Sequence, residues 1–107
     1  MSVLQWLDFE YSDGDDGIGV FDALASVFPQ HAPSVQQEID LVLAWARAEA
    51  GPPAPMEAGG EWDVELQVHE EPAAVPQQPA RRSFGLTISG TPAFCQAFGA
   101  RFLDERG

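Results

Sequence analysis

A chain of 107 residues with seventeen acidic side chains, five arginines and no lysine carries a formal net charge of −12, a field that repels nucleic-acid phosphates and anionic lipid head groups and attracts basic surfaces. The length suits one α+β domain over residues 1–107, able to fold without disulfides, metal or cofactor, and the single cysteine excludes an internal disulfide. No apolar run approaches the roughly 20 residues of a membrane span and the first residues lack a signal-peptide pattern, so the composition predicts a cytoplasmic protein, monomer or weak homodimer, that binds neither membrane nor nucleic acid directly.

In chain order, residues 3–11 are rich in aromatic and branched side chains. They alternate from Leu7 onward, with Leu7, Phe9 and Tyr11 set against Asp8 and Glu10, which predicts a first strand. Residues 12–17 supply turn chemistry. Phe21, Leu24, Ala25 and Phe28 then recur at helical spacing up to Pro29, which predicts a short helix beginning near Ile18. Next, Pro33 leads into Ser34-Val35-Gln36-Gln37, the Ser-x-x-Gln form of a capping box. The apolar stripe of Val35, Ile39, Val42, Leu43 and Ala46, with Leu41 and Trp45 beside it, predicts a longer helix that Gly51-Pro52-Pro53 ends.

After a loop over about 51–60, expected to be mobile, residues 61–69 alternate without a fault. Trp62, Val64, Leu66 and Val68 point one way and Glu61, Asp63, Glu65 and Gln67 the other, the pattern of a half-buried strand. The Pro-rich stretch of about 70–81 predicts a second mobile loop. Beyond it, Phe84, Leu86 and Ile88 mark an antiparallel partner strand. Thr91-Pro92 places an N-cap ahead of a proline at the first helical position, and Phe94, Phe98 and Phe102 give the last helix an aromatic stripe with Cys95 and Ala97 alongside. The predicted fold is an α+β two-layer sandwich in the order β-α-α-β-β-α: a three-stranded, mainly antiparallel sheet with about three helices packed on one face and a polar face opposite.

Signatures of chemistry are sparse. Asp13-Gly14-Asp15-Asp16-Gly17 clusters carboxylates, but an EF-hand register from Asp13 puts Gly17 and Leu24 where oxygen ligands belong, so the segment reads as a solvated turn. One cysteine and two distant histidines, His31 and His69, do not make a zinc site. Cys95 falls between phenylalanines and reads as a small buried hydrophobe rather than a nucleophile. Ser89-Gly90-Thr91 lacks nucleophile-elbow spacing, and no Gly-rich loop is followed by lysine. No catalytic residue, metal ligand or cofactor is expected.

What remains is the outward side of the first strand. With Leu7, Phe9 and Tyr11 facing the core, Leu4 and Trp6 share the opposite side with Asp8 and Glu10, near the acidic row Glu61, Asp63 and Glu65. An aromatic spot in an acidic field suits a basic protein partner. The expected partner surface is therefore Trp6, Asp8, Glu10, Glu61, Asp63 and Glu65, with Trp6 as candidate anchor unless a terminal segment covers it or a bulge turns it inward. The leading expectation is a non-enzymatic binding or regulatory module of the adaptor, antitoxin-like or immunity-like kind. The alternative is a small enzyme working through clustered carboxylates.

Overall fold

The computed structural model describes residues 4–14, 17–73 and 80–103. Four strands, β1 (Phe9–Asp13), β2 (Gly19–Val27), β3 (Trp62–Glu71) and β4 (Arg81–Gly90), form one antiparallel sheet in the order β1-β2-β4-β3. Helices α1 (Ala32–Ala50) and α2 (Pro92–Phe98) lie on one face, so the class is α+β. A 3-10 turn, Pro29–His31, precedes α1; another, Met56–Ala58, precedes β3; a π-helical turn, Gly99–Leu103, continues α2.

The expected three-stranded sheet is corrected to four strands, and the expected helix after the first turn is β2. Its buried residues, Phe21, Ala23, Ala25 and Val27, recur every second position, while Asp22, Leu24 and Ser26 are exposed. The turn before it closes a hairpin. The Gly14 amide donates to the Ile18 carbonyl at 2.8 Å, and Gly17 adopts φ +83°, a conformation that glycine enters without a Cβ clash. Asp15 and Asp16 of the acidic turn lie outside the described residues, as does much of the second Pro-rich loop.

Two boundaries also shift. The first strand begins at Phe9, because residues 4–8 run onto α1 instead: the Glu38 carboxylate accepts hydrogen bonds from the amides of Gln5 (2.7 Å), Trp6 (3.0 Å) and Leu7 (3.0 Å). The capping box does not form. Helix α1 starts at Ala32, directly behind the 3-10 turn, which places Ser34 inside the first turn and leaves His31 as an N-cap without a side-chain bond. The loop over 51–60 holds the second 3-10 turn, and its Ala54 amide donates to the Trp62 carbonyl at 3.0 Å.

The core centres on Phe98, fully buried against Phe21 (ring centroids 4.3 Å), Phe102 (4.9 Å), Phe9 (5.2 Å) and Trp45 (5.8 Å). Edge-to-face and tilted packing of this kind adds to what burial alone contributes. Trp62 stacks on Phe94 at 5.7 Å and donates its indole N–H to the Gly51 carbonyl at 2.8 Å, tying β3 to the end of α1. The expected N-cap of α2 is present, with the Thr91 hydroxyl accepting from the Phe94 amide at 3.3 Å. Of the residues expected beneath the helices, Trp62, Phe84, Leu86 and Ile88 are buried, whereas Val64 is half-buried and Leu66 is 39% exposed. The helices therefore do not cover the outer part of β3.

Candidate functional site

The face of the sheet away from the helices is open to solvent, and the strand register fixes its composition. One row across all four strands reads Glu10, Asp22, Thr87, Glu65. Its neighbours read Ser12, Val20, Ser89, Asp63 on one side and Leu24, Gly85, Gln67 on the other. Glu10 and Asp22 stand directly opposite one another, an arrangement that costs up to about 1 kcal/mol in repulsion between like charges. Asp22 is held by the Thr87 hydroxyl, which donates to its Oδ1 at 2.7 Å.

Leu24 is the apolar element of this face. It is 80% exposed and leans over Gly85, where a Cβ would lie 3.4 Å from its Cδ2. The missing side chain at Gly85 leaves a depression of about 230 Å³ bordered by Asp22, Leu24, Glu65, Gln67 and Thr87. A second depression, of about 290 Å³, lies beside it between Asp63, Glu65, Thr87 and Ser89. Among the described residues no arginine lies at the centre: Arg81, at the far end, donates to the Ser26 carbonyl at 2.7 Å and lies over the Phe28 ring, and Arg82 pairs with Glu70.

The expected partner surface is thus partly assembled and partly dispersed. Glu10, Asp63 and Glu65 share the open face, but β1 and β3 are opposite edges, separated by about 14 Å at ordinary inter-strand spacing. Asp8 is exposed just ahead of β1. Glu61 precedes β3 and is drawn to the start of α2, where the Thr91 hydroxyl donates to its Oε2 at 3.1 Å. Trp6 does not belong to the open face. It is half-buried at the edge of the core, its ring 5.0 Å from that of His31, because Glu38 draws its backbone onto α1. The two side chains that sequence reasoning missed, Asp22 and Leu24, sit in the middle of the face; once residues 19–27 form a strand, their even-numbered parity puts both outside.

Carboxylates acting as an acid–base pair need one member shielded from water, whereas Glu10, Asp22 and Glu65 are all exposed. Among the described residues no three His, Cys, Asp or Glu side chains are grouped to hold a metal ion, and no helix is long and apolar enough to cross a membrane.

A separate cleft of about 510 Å³ lies on the helix side, between the β1-β2 hairpin and α2, lined by Tyr11, Asp13, Phe21, Pro92, Cys95 and Leu103. Gly19 makes this packing possible, since a Cβ there would come within 2.5 Å of the Cys95 sulfur and 2.7 Å of the Tyr11 ring. The Tyr11 hydroxyl donates to Asp13, and chiefly that bond pushes the phenol up to about 12. Cys95 is buried, its thiol pushed up by burial and directed at the Gly90 carbonyl at 3.4 Å, which makes it a packing residue rather than a nucleophile. Comparison with protein-family models, with curated proteins and with solved structures found no match for this chain.

Proposed function

We propose that the protein is a non-enzymatic binding module whose open sheet face receives a basic protein segment. The observation that supports this reading is the Glu10, Asp22, Thr87, Glu65 row, with the exposed Leu24 next to it and, among the described residues, no arginine at its centre. Carboxylates around an apolar contact steer a cationic partner into encounter, and a desolvated leucine slows its departure. Asp22 and Leu24 replace Trp6 and Glu61 in this surface, while Asp8, Glu10, Asp63 and Glu65 remain in it.

Affinity capture with the full chain, run at low and high salt beside the double variant D22K/E65K, tests the proposal. Partners retained by the wild type at low salt should be lost at high salt and lost by the double variant, since exposed charges are screened beyond about 8 Å at physiological ionic strength. For a captured partner, Leu24→Ala should raise the dissociation rate more than it lowers the association rate. Capture indifferent to both salt and D22K/E65K refutes the proposal.

A further inference from the structure

β3 is an edge strand ten residues long, without proline, and the two sides of its chain differ. Toward the helices it shows Val64, Leu66 and Val68, half-buried, 39% and 46% exposed. Toward the open face it shows Asp63, Glu65, Gln67 and His69. Its free edge is identified by two hydrogen bonds. The Trp62 carbonyl is taken by Ala54, and the Val64 amide is capped by its neighbour's carboxylate, Asp63 Oδ1, at 2.8 Å, so neither group points at β4. Strand alternation turns the main chain of Leu66 and Val68 outward as well. Among the described residues no main chain other than β4 pairs with β3 over residues 64–68. A long edge with apolar side chains is a template for another strand.

We propose that this edge pairs with the same edge of a second copy, antiparallel and centred on Leu66, joining two four-stranded sheets into one continuous sheet. The register argues for a second copy because the strand is complementary to itself. Centred on Leu66, the helix side sets Leu66 against Leu66 and Val64 against Val68 of the second copy. The open side sets Glu65 against Gln67 and Asp63 against His69, a carboxylate facing an imidazole N–H, each contact occurring twice. Opposed pairs with outward main chain exchange both hydrogen bonds, so the Val64 amide passes from Asp63 to Val68 of the second copy and frees Asp63 for His69.

Sliding by one register step destroys this match. Centring on Gln67 opposes Asp63 to Glu71 and Val64 to Glu70; centring on Glu65 opposes that carboxylate to itself and brings Val68 against Trp62, whose carbonyl is occupied. The pairing stops at Trp62 for the same reason. The proposal is independent of the binding role assigned to the open face, and salt separates the two: two chains of net charge −12 repel, so salt strengthens self-pairing, whereas it weakens capture of a basic partner.

Sedimentation velocity on the full chain, from micromolar to millimolar protein and at low and moderate salt, tests this pairing. A monomer–dimer equilibrium that tightens with salt is expected. Leu66→Lys opposes two lysines at the centre and should weaken it at least about tenfold. His69→Asp opposes two carboxylates twice and should weaken it, and D63H/H69D should restore it by exchanging the partners. Circular dichroism checks that each variant is folded, and amide exchange at Leu66 and Val68 should slow as dimer accumulates. A chain monomeric at every concentration overturns the proposal. So does a dimer indifferent to Leu66→Lys, a loss in His69→Asp that D63H/H69D does not reverse, or protection of these amides without dimer.

Discussion

Removing the Glu38 carboxylate should detach the segment ahead of β1. That carboxylate binds three successive amides, those of Gln5, Trp6 and Leu7, and holds Leu4 and Leu7 in the core. Hydrogen bonds to a charged group contribute about 1.5–3 kcal/mol each. The Gln5 amide is exposed and returns to water at little cost, which leaves the two part-buried amides and some released apolar area. Together these set about 3–6 kcal/mol for Glu38→Ala. Glu38→Gln keeps one accepting oxygen without the charge and should lose about half as much. Urea unfolding followed by tryptophan fluorescence measures both, and a lower m value in Glu38→Ala would report a segment already released in the native state. A Glu38→Ala variant within about 0.5 kcal/mol of wild type refutes this reasoning.

Phe98→Ala should cost about 3–5 kcal/mol in the same unfolding experiment, as expected for truncating a fully buried ring among Phe9, Phe21, Trp45 and Phe102; a loss below about 1 kcal/mol would mean that α2 is not docked in solution. Tyr11 is the single tyrosine, so ultraviolet absorbance titration reads its phenol alone. The midpoint should lie at about 12, raised by the hydrogen bond to Asp13, and Asp13→Asn should bring it down toward the ordinary 10.0. Because the folded value lies above the unfolded one, the native state binds more protons between them, and stability should fall as pH rises from about 10 to about 12.

The parts of the fold that were legible in the sequence are those where one physical signal acts alone. Trp62 to His69 alternate without exception, and Thr91-Pro92 offers both an N-cap and a preset φ; β3, β4 and α2 follow. β2 was not legible because its inward positions include Ala23 and Ala25, small residues that favour helices, while its largest middle residue, Leu24, points outward. Side-chain size then mimics a helical period although burial has period two. The misplaced cap of α1 has a different cause: the box at Ser34 and Gln37 is a sound local signal, but burial of Ala32 and the 3-10 turn before it start the helix earlier.

The acidity of the site was legible, but its layout was not, because layout depends on strand order. Inserting β2 between β1 and β4 moves Glu10 away from Asp63 and Glu65 and fills the interval with Asp22, Leu24 and Thr87. Trp6 lies off the open face because strand parity does not reach ahead of Phe9: its amide is held by Glu38, 32 residues away in sequence, a contact that no local pattern encodes. Within β3 the two proposed roles overlap on one side only: Leu66 and Val68 with their main chain serve pairing alone, while Asp63 and Glu65, which belong to the acidic face, also meet His69 and Gln67 of the second copy. Pairing about Leu66 would also set the Glu65 of each copy beside Gln67 of the other, extending the acidic face across both molecules, so the self-paired form would present a longer surface to a basic segment than one chain does alone.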